Sequence, residues 1–110
     1  MTIEQLKNFG CNVEEGLNRC MNNESFYIML VNKFLATTDL SKLENALKEN
    51  DLDNAFNEAH SLKGVCGNLS LTPLFNIANE MVEPLRKRTE MDYSPLFDEL
   101  TKLFNQLKNL

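Results

Sequence analysis

His60, Lys63, Gly64 and Gly67 fall within little more than two helical turns of each other, in the stretch Ala59-His60-Ser61-Leu62-Lys63-Gly64-Val65-Cys66-Gly67-Asn68-Leu69. His60 is the only histidine in the chain, and two of the four glycines lie beside it. A neutral imidazole has a free lone pair and serves as nucleophile or base. A lysine at i+3 is its neighbour on a helix surface. The permanent charge of that lysine favours the neutral ring and would help neutralise an anion carried on it. Glycine costs roughly 1 kcal/mol relative to alanine inside a helix, so two in one helix call for a reason. With His60 at zero on a wheel of ~100° per residue, Gly64 falls at ~40° and Gly67 at ~20°. Helical side chains lean toward the N-terminus, so a bulky residue at either position would lean over the ring. An open nitrogen, a lone pair and a nearby cation together suggest a histidine that accepts a phosphoryl group.

A plainer reading competes with this one. An exposed histidine with a lysine nearby is ordinarily just a solvated face, and the glycines would then mark the close approach of another helix. Such packing would bury His60 and Lys63, which is expensive for the lysine. On the same wheel Ala55, Ala59, Leu62, Cys66 and Leu69 gather on one side. Asp53, Asn57, Lys63, Gly64, Gly67 and Asn68 surround His60, with Phe56 at the border. The imidazole therefore belongs to the polar face and not to the core.

The elements that must hold this face are helical throughout. Capping-box patterns stand at Thr2-Ile-Glu-Gln5 and Ser41-Lys-Leu-Glu44. Thr72-Pro73 and Ser94-Pro95 each set a proline just inside a helix after a hydroxyl cap, and Asn23 and Asp51 can cap two more starts. Helices are read at 2–9, 13–20, 24–37, 41–49, 52–69, 73–88 and 95–109. Apolar stripes run along the third (Phe26, Tyr27, Leu30, Val31, Phe34), the sixth (Leu74, Ile77, Ala78, Met81, Val82, Leu85) and the last (Leu96, Phe97, Leu100, Leu103, Phe104, Leu107, Leu110). Short connections make neighbouring long helices antiparallel. The expected fold is all-α, an antiparallel four-helix bundle over about 23–110 with short additional helices in the N-terminal segment 1–22, the whole of 1–110 forming one domain.

Composition narrows the function. The chain has 110 residues and a formal charge of −5, which disfavours nonspecific binding to nucleic acid. The one basic cluster, Arg86-Lys87-Arg88, sits where a helix should end and complements its dipole. Runs such as Tyr27-Ile28-Met29-Leu30-Val31 are too short to span a bilayer, and the start lacks the basic-then-apolar order of a signal peptide, so a cytoplasmic location is expected, with no membrane partner. The three cysteines, Cys11, Cys20 and Cys66, have neither the count nor the spacing of a disulfide framework or a zinc site. Cys66 is read as a small core residue.

The segment from Ala59 to Leu69 resembles the signature of histidine-containing phosphotransfer (HPt) domains: Ala-His-x-Leu-Lys-Gly, two variable positions, then Gly-Asn-Leu. The stretches "NVEEGLNRCMNNESFYIMLVNKFL" and "LTPLFNIANEMVEPLRK" are similar to the family's flanking helices. The resemblance implies a four-helix bundle whose exposed histidine takes a phosphoryl group from a receiver phosphoaspartate and passes it to another receiver aspartate. Carried over, His60 is the phosphoacceptor, Lys63 supports the phosphate, and Gly64 and Gly67 give the receiver clearance. The resemblance also implies no cofactor or metal site in this chain, with Mg²⁺ and catalytic acids on the partner receiver domain, so the chain is a carrier and not a complete enzyme. Partner contacts are expected from Phe56, Asn57, Asn68 and Asn79, and monomer is the default state. Many members place Glu or Gln on the next helix to hold the inner ring nitrogen. Here Val82 stands at that position, Glu80 and Glu83 point along other faces, and the inner nitrogen is left to water or to Asn79, one turn earlier. Two other functions share this bundle: a helical adaptor that does not use His60, and the phosphoacceptor domain of a histidine kinase.

Overall fold

The computed structural model describes residues 1–110, with seven α-helices and no strand. These are α1 (Ile3–Phe9), α2 (Val13–Arg19), α3 (Glu24–Thr37), α4 (Ser41–Lys48), α5 (Leu52–Asn68), α6 (Thr72–Arg86) and α7 (Ser94–Lys108). Every helix read from the sequence is present. Thr2 and Gln5 form the expected capping box. Asn23 and Asp51 each accept a hydrogen bond from the backbone N–H three residues on, from Phe26 and Asn54, as does Asn12 from Glu15.

Three starts differ from the hydroxyl caps expected of them. Ser41 does not cap α4. The Asp39 carboxylate instead accepts from the Ser41 N–H at 3.0 Å and from its hydroxyl at 2.7 Å. Asp92 likewise accepts from the Ser94 N–H at 2.9 Å. An ionised carboxylate is a stronger acceptor than a hydroxyl, so the upstream aspartate takes the free amide, and these bonds hold both carboxyls below the usual range. The Thr72 hydroxyl turns away from α6 and accepts the Asn12 N–H at 3.2 Å. Pro73 and Pro95 do occupy first turns.

The reversals are made by left-handed residues. Asn50, Ser70 and Arg88 have φ of 54°, 56° and 53°. Each sits just past a helix with paired backbone bonds closing the last turn, as in Leu71 N–H to Cys66 C=O at 2.9 Å after α5 and Thr89 N–H to Pro84 C=O at 3.0 Å after α6. These sharp turns fold α6 back along α5, its most extensive neighbour, and α7 along α6, with α7 also meeting α3. The bundle is elongated, 42 × 23 × 21 Å.

One continuous core runs through it. Tyr27 and Val31 of α3, Ala59 and Cys66 of α5, Leu74, Met81, Val82 and Leu85 of α6, and Leu100 and Leu107 of α7 are fully buried. Each large aliphatic side chain removed from water contributes about 1.5–3 kcal/mol. The stripes read from the sequence face inward with two exceptions: Phe26 is 42% exposed and Leu110 is 38% exposed. Leu110 lies beyond the last helix. Phe26 sits in the first turn of α3, next to Tyr27, which takes the core position.

The N-terminal segment is fastened to the α5–α6 turn, which also carries the end of the histidine helix. Asn12 N–H donates to Ser70 C=O at 3.1 Å, and the Tyr27 hydroxyl donates to Leu69 C=O at 2.7 Å. Arg19 donates to the Gly67 and Asn68 carbonyls while pairing with Glu15 at 3.0 Å.

Candidate functional site

α5 divides as its sequence requires. Ala55, Ala59, Leu62 and Cys66 are buried, and His60 faces solvent on the opposite side. Because helical side chains lean N-terminally, the imidazole reaches back over the residue at i−4, which is Phe56. Their ring centroids are 5.4 Å apart with planes 29° from parallel, an offset stack. In the other direction along the helix lies Gly64, where an added Cβ would meet no atom within 4 Å. The ring is backed on one side and unshaded on the other.

Gly67, expected to give the same clearance, also borders the depression beside His60 but has a neighbour. A Cβ at that position would sit 3.4 Å from two atoms of the Phe75 ring on α6. An alanine there would make ordinary van der Waals contact with Phe75, while Gly64 keeps the open approach. Phe75 also guides Lys63, whose Nζ lies 5.9 Å from its ring centroid. Lys63 is half-buried along its stem and shares an open depression of about 540 Å³ with His60, Gly64, Gly67 and Asn68.

The family comparison bears on this helix directly. The model of the Hpt domain matches residues 31–110, which runs from mid-α3 to the C-terminus and contains the whole of α5 and α6. The chain belongs to the Hpt domain family. Hpt domains are phosphocarriers in two-component signalling rather than classical enzymes, and their partners are receiver domains. No curated protein and no solved structure matches the chain. α1, α2 and the first half of α3 lie outside the matched span.

In this Hpt domain the depression beside His60 is completed from outside that span. Asn12, Glu15 and Arg19 of the α2 region form one wall, and Phe75 and Asn76 of α6 another. Of the residues expected to meet a partner, Asn57 and Asn68 are exposed and Phe56 is half-buried beneath His60. Asn79 is half-buried, does not line the depression and makes no hydrogen bond to the imidazole. Val82 is fully buried in the core.

The basic cluster does more than the sequence suggested. Arg88 does close α6, donating to Leu85 C=O at 2.8 Å. Its guanidinium also lies 4.7 Å from the Phe56 ring centroid, and that of Arg86 lies 5.4 Å away. Arg88 Nε pairs with Asp53 of α5 at 2.6 Å. The i, i+4 spacing of Phe56 and His60 was a legible signal for the stack. The arginine contacts cross between helices, and no local pattern announces them.

The three cysteines are free and buried. Burial pushes the Cys66 thiol up to about 12 and Cys11 up to about 11, so neither supplies a thiolate near neutrality. No helix is long and apolar enough to cross a membrane, and no three His, Cys, Asp or Glu side chains converge to hold a metal ion.

Proposed function

We propose that this Hpt domain carries a phosphoryl group on His60, received from the phosphoaspartate of one receiver domain and passed to the aspartate of another. The observation that carries the reading is the exposed imidazole of α5 with open space over Gly64, inside the span that matches the family. An imidazole nitrogen attacks phosphorus, the N–P bond forms as the acyl-phosphate P–O bond breaks, and the receiver's carboxylate leaves. The reverse sequence loads the next receiver. Lys63 shares the depression and offers its ammonium to the transferred phosphoryl oxygens. The receiver supplies Mg²⁺ and the catalytic acids, and the chain itself uses no cofactor. Asn57 and Asn68 border the ring as polar contacts for the docked receiver. On this reading the whole of 1–110 acts as one monomeric unit in the cytoplasm, without nucleic-acid or membrane partners.

The test is to incubate the chain with a phosphorylated receiver and Mg²⁺ and to follow the label. Acid-labile, base-stable label is expected on the unmutated chain and none on His60→Gln. Equal labelling of the two would overturn the assignment.

A further inference from the structure

His60 receives no hydrogen bond from α6, yet its ring is not free. The Phe56–His60 stack has a second layer. Two guanidinium groups also lie against the Phe56 ring, Arg88 at 4.7 Å and Arg86 at 5.4 Å from its centroid. Arg88 is itself fixed three ways: Nε to Asp53 at 2.6 Å, Nη1 to Leu85 C=O at 2.8 Å, and Nη1 to Arg86 C=O at 3.3 Å. Its backbone holds the left-handed region at φ 53°, where glycine is the residue of least cost. An arginine kept in that turn places a planar cation on an aromatic face, an attractive arrangement in its own right. A bracket from α6 thus holds Phe56, and Phe56 backs His60 across one turn of α5.

We infer that Phe56, braced by Arg86 and Arg88, is the positioning residue of the His60 imidazole, fixing the ring by stacking where no hydrogen bond does so. An unsupported, solvent-exposed imidazole exchanges freely between rotamers, and only a fraction of them aim a nitrogen at an incoming phosphorus. The stack biases that population by no more than its own free energy. Its removal is therefore worth a modest factor in the transfer step within the docked complex. This inference rests on the carrier reading for its kinetic arm and not for its spectroscopic arm.

Three variants test it. Phe56→Leu keeps an apolar residue but removes the aromatic face. Phe56→Tyr keeps the face. Arg88→Gly removes the nearer guanidinium while relaxing the left-handed turn, and unchanged far-ultraviolet circular dichroism separates a loss there from a folding defect. With a phosphorylated receiver and Mg²⁺, Phe56→Leu is expected to lower kcat by about 2- to 10-fold at unchanged KM. Arg88→Gly should fall in the same direction, and Phe56→Tyr should restore the rate. Labelling by phosphoramidate, a small donor that approaches the exposed ring from any side, should lose less. By NMR, the His60 ring protons are expected to shift downfield in Phe56→Leu as the shielding aromatic face is lost, and nuclear Overhauser contacts between the rings should weaken in Arg88→Gly. Ring resonances that do not move would overturn the inference, whatever the kinetics. So would a raised KM at unchanged kcat, which would make Phe56 a docking contact only. If the unmutated chain takes no label from either donor, the carrier reading fails, and the resonances alone still decide whether Phe56 positions the ring.

Discussion

Three glycines of this chain lie in helices, and each meets a different environment. A Cβ at Gly64 meets nothing, at Gly67 it touches Phe75, and at Gly16 it collides with the buried Tyr27 ring. Gly64→Ala should therefore stabilise the fold by about 0.5–1 kcal/mol, since an exposed helix interior favours alanine. Urea unfolding checks this. Gly64→Leu should leave far-ultraviolet circular dichroism unchanged and yet suppress transfer from a phosphorylated receiver, because its side chain would shade the ring. Unimpaired transfer in a folded Gly64→Leu chain would remove the steric argument. Gly67→Leu must instead displace Phe75 and is expected to lose stability as well as transfer. The exposure of His60, the place of Lys63 beside it and the open space at Gly64 were legible because all three rest on spacing within one helix. The separate fate of Gly67 was not, since the wheel shows which side a residue faces and not what a neighbouring helix puts there. Phe56 was placed at the border of the polar face, and its stacking on His60 follows from the N-terminal lean of helical side chains. Its arginine bracket had no such signal.

The helices themselves were legible because their determinants are local, apolar stripes of helical period and polar caps at their starts. Two of the three misread caps share one cause: an aspartate two residues upstream of Ser41 and of Ser94 outcompetes the hydroxyl for the free amide, whereas the Thr72 hydroxyl is taken by the Asn12 N–H. What local pattern could not give is how α2 is joined to the end of α5. Arg19 reaches the Gly67 and Asn68 carbonyls, where a cation also meets the negative end of the helix dipole. Arg19 is about half exposed, so its loss should cost only about 1 kcal/mol. Arg19→Ala is expected to speed amide hydrogen exchange in α2 and in the α5–α6 turn while leaving α7 protected. Uniformly faster exchange would mean that the anchor supports the whole fold instead. Gly16→Ala probes the same joint from beneath. Tyr27 is fully buried and tied to Leu69 by its hydroxyl, so the ring has little room to yield. Overpacking of this kind costs about 1–3 kcal/mol, and a lower thermal midpoint is expected where Gly64→Ala raises it.

At the scale of the whole molecule, the alkaline response is shaped by buried thiols and a buried phenol. Burial raises the thiols of Cys66 and Cys11 and likewise the Tyr27 phenol. All three are acids whose neutral form the core prefers. Below their unfolded values, near 9 for the thiols, both states keep the proton and stability is flat. As pH rises past that point the unfolded chain releases protons that the native chain retains, so stability falls until the folded thiols also titrate, at about 11 to 12. Urea midpoints should accordingly be level from neutrality to about pH 9 and then decline. Cys66→Ala should flatten that decline, although the cavity it leaves lowers stability at every pH. A midpoint that held steady through pH 11 would show that these thiols are not as buried as the fold places them. The alkaline limit matters for the proposed chemistry, because a phosphoryl group on an imidazole nitrogen survives base and is lost in acid. On the acid side the phosphohistidine is lost, and the stability contributed by the Asp39 and Asp92 carboxylates falls with it as they protonate. Measured from the alkaline side, carrier activity should be limited by the core, with label still attached to the unfolding chain.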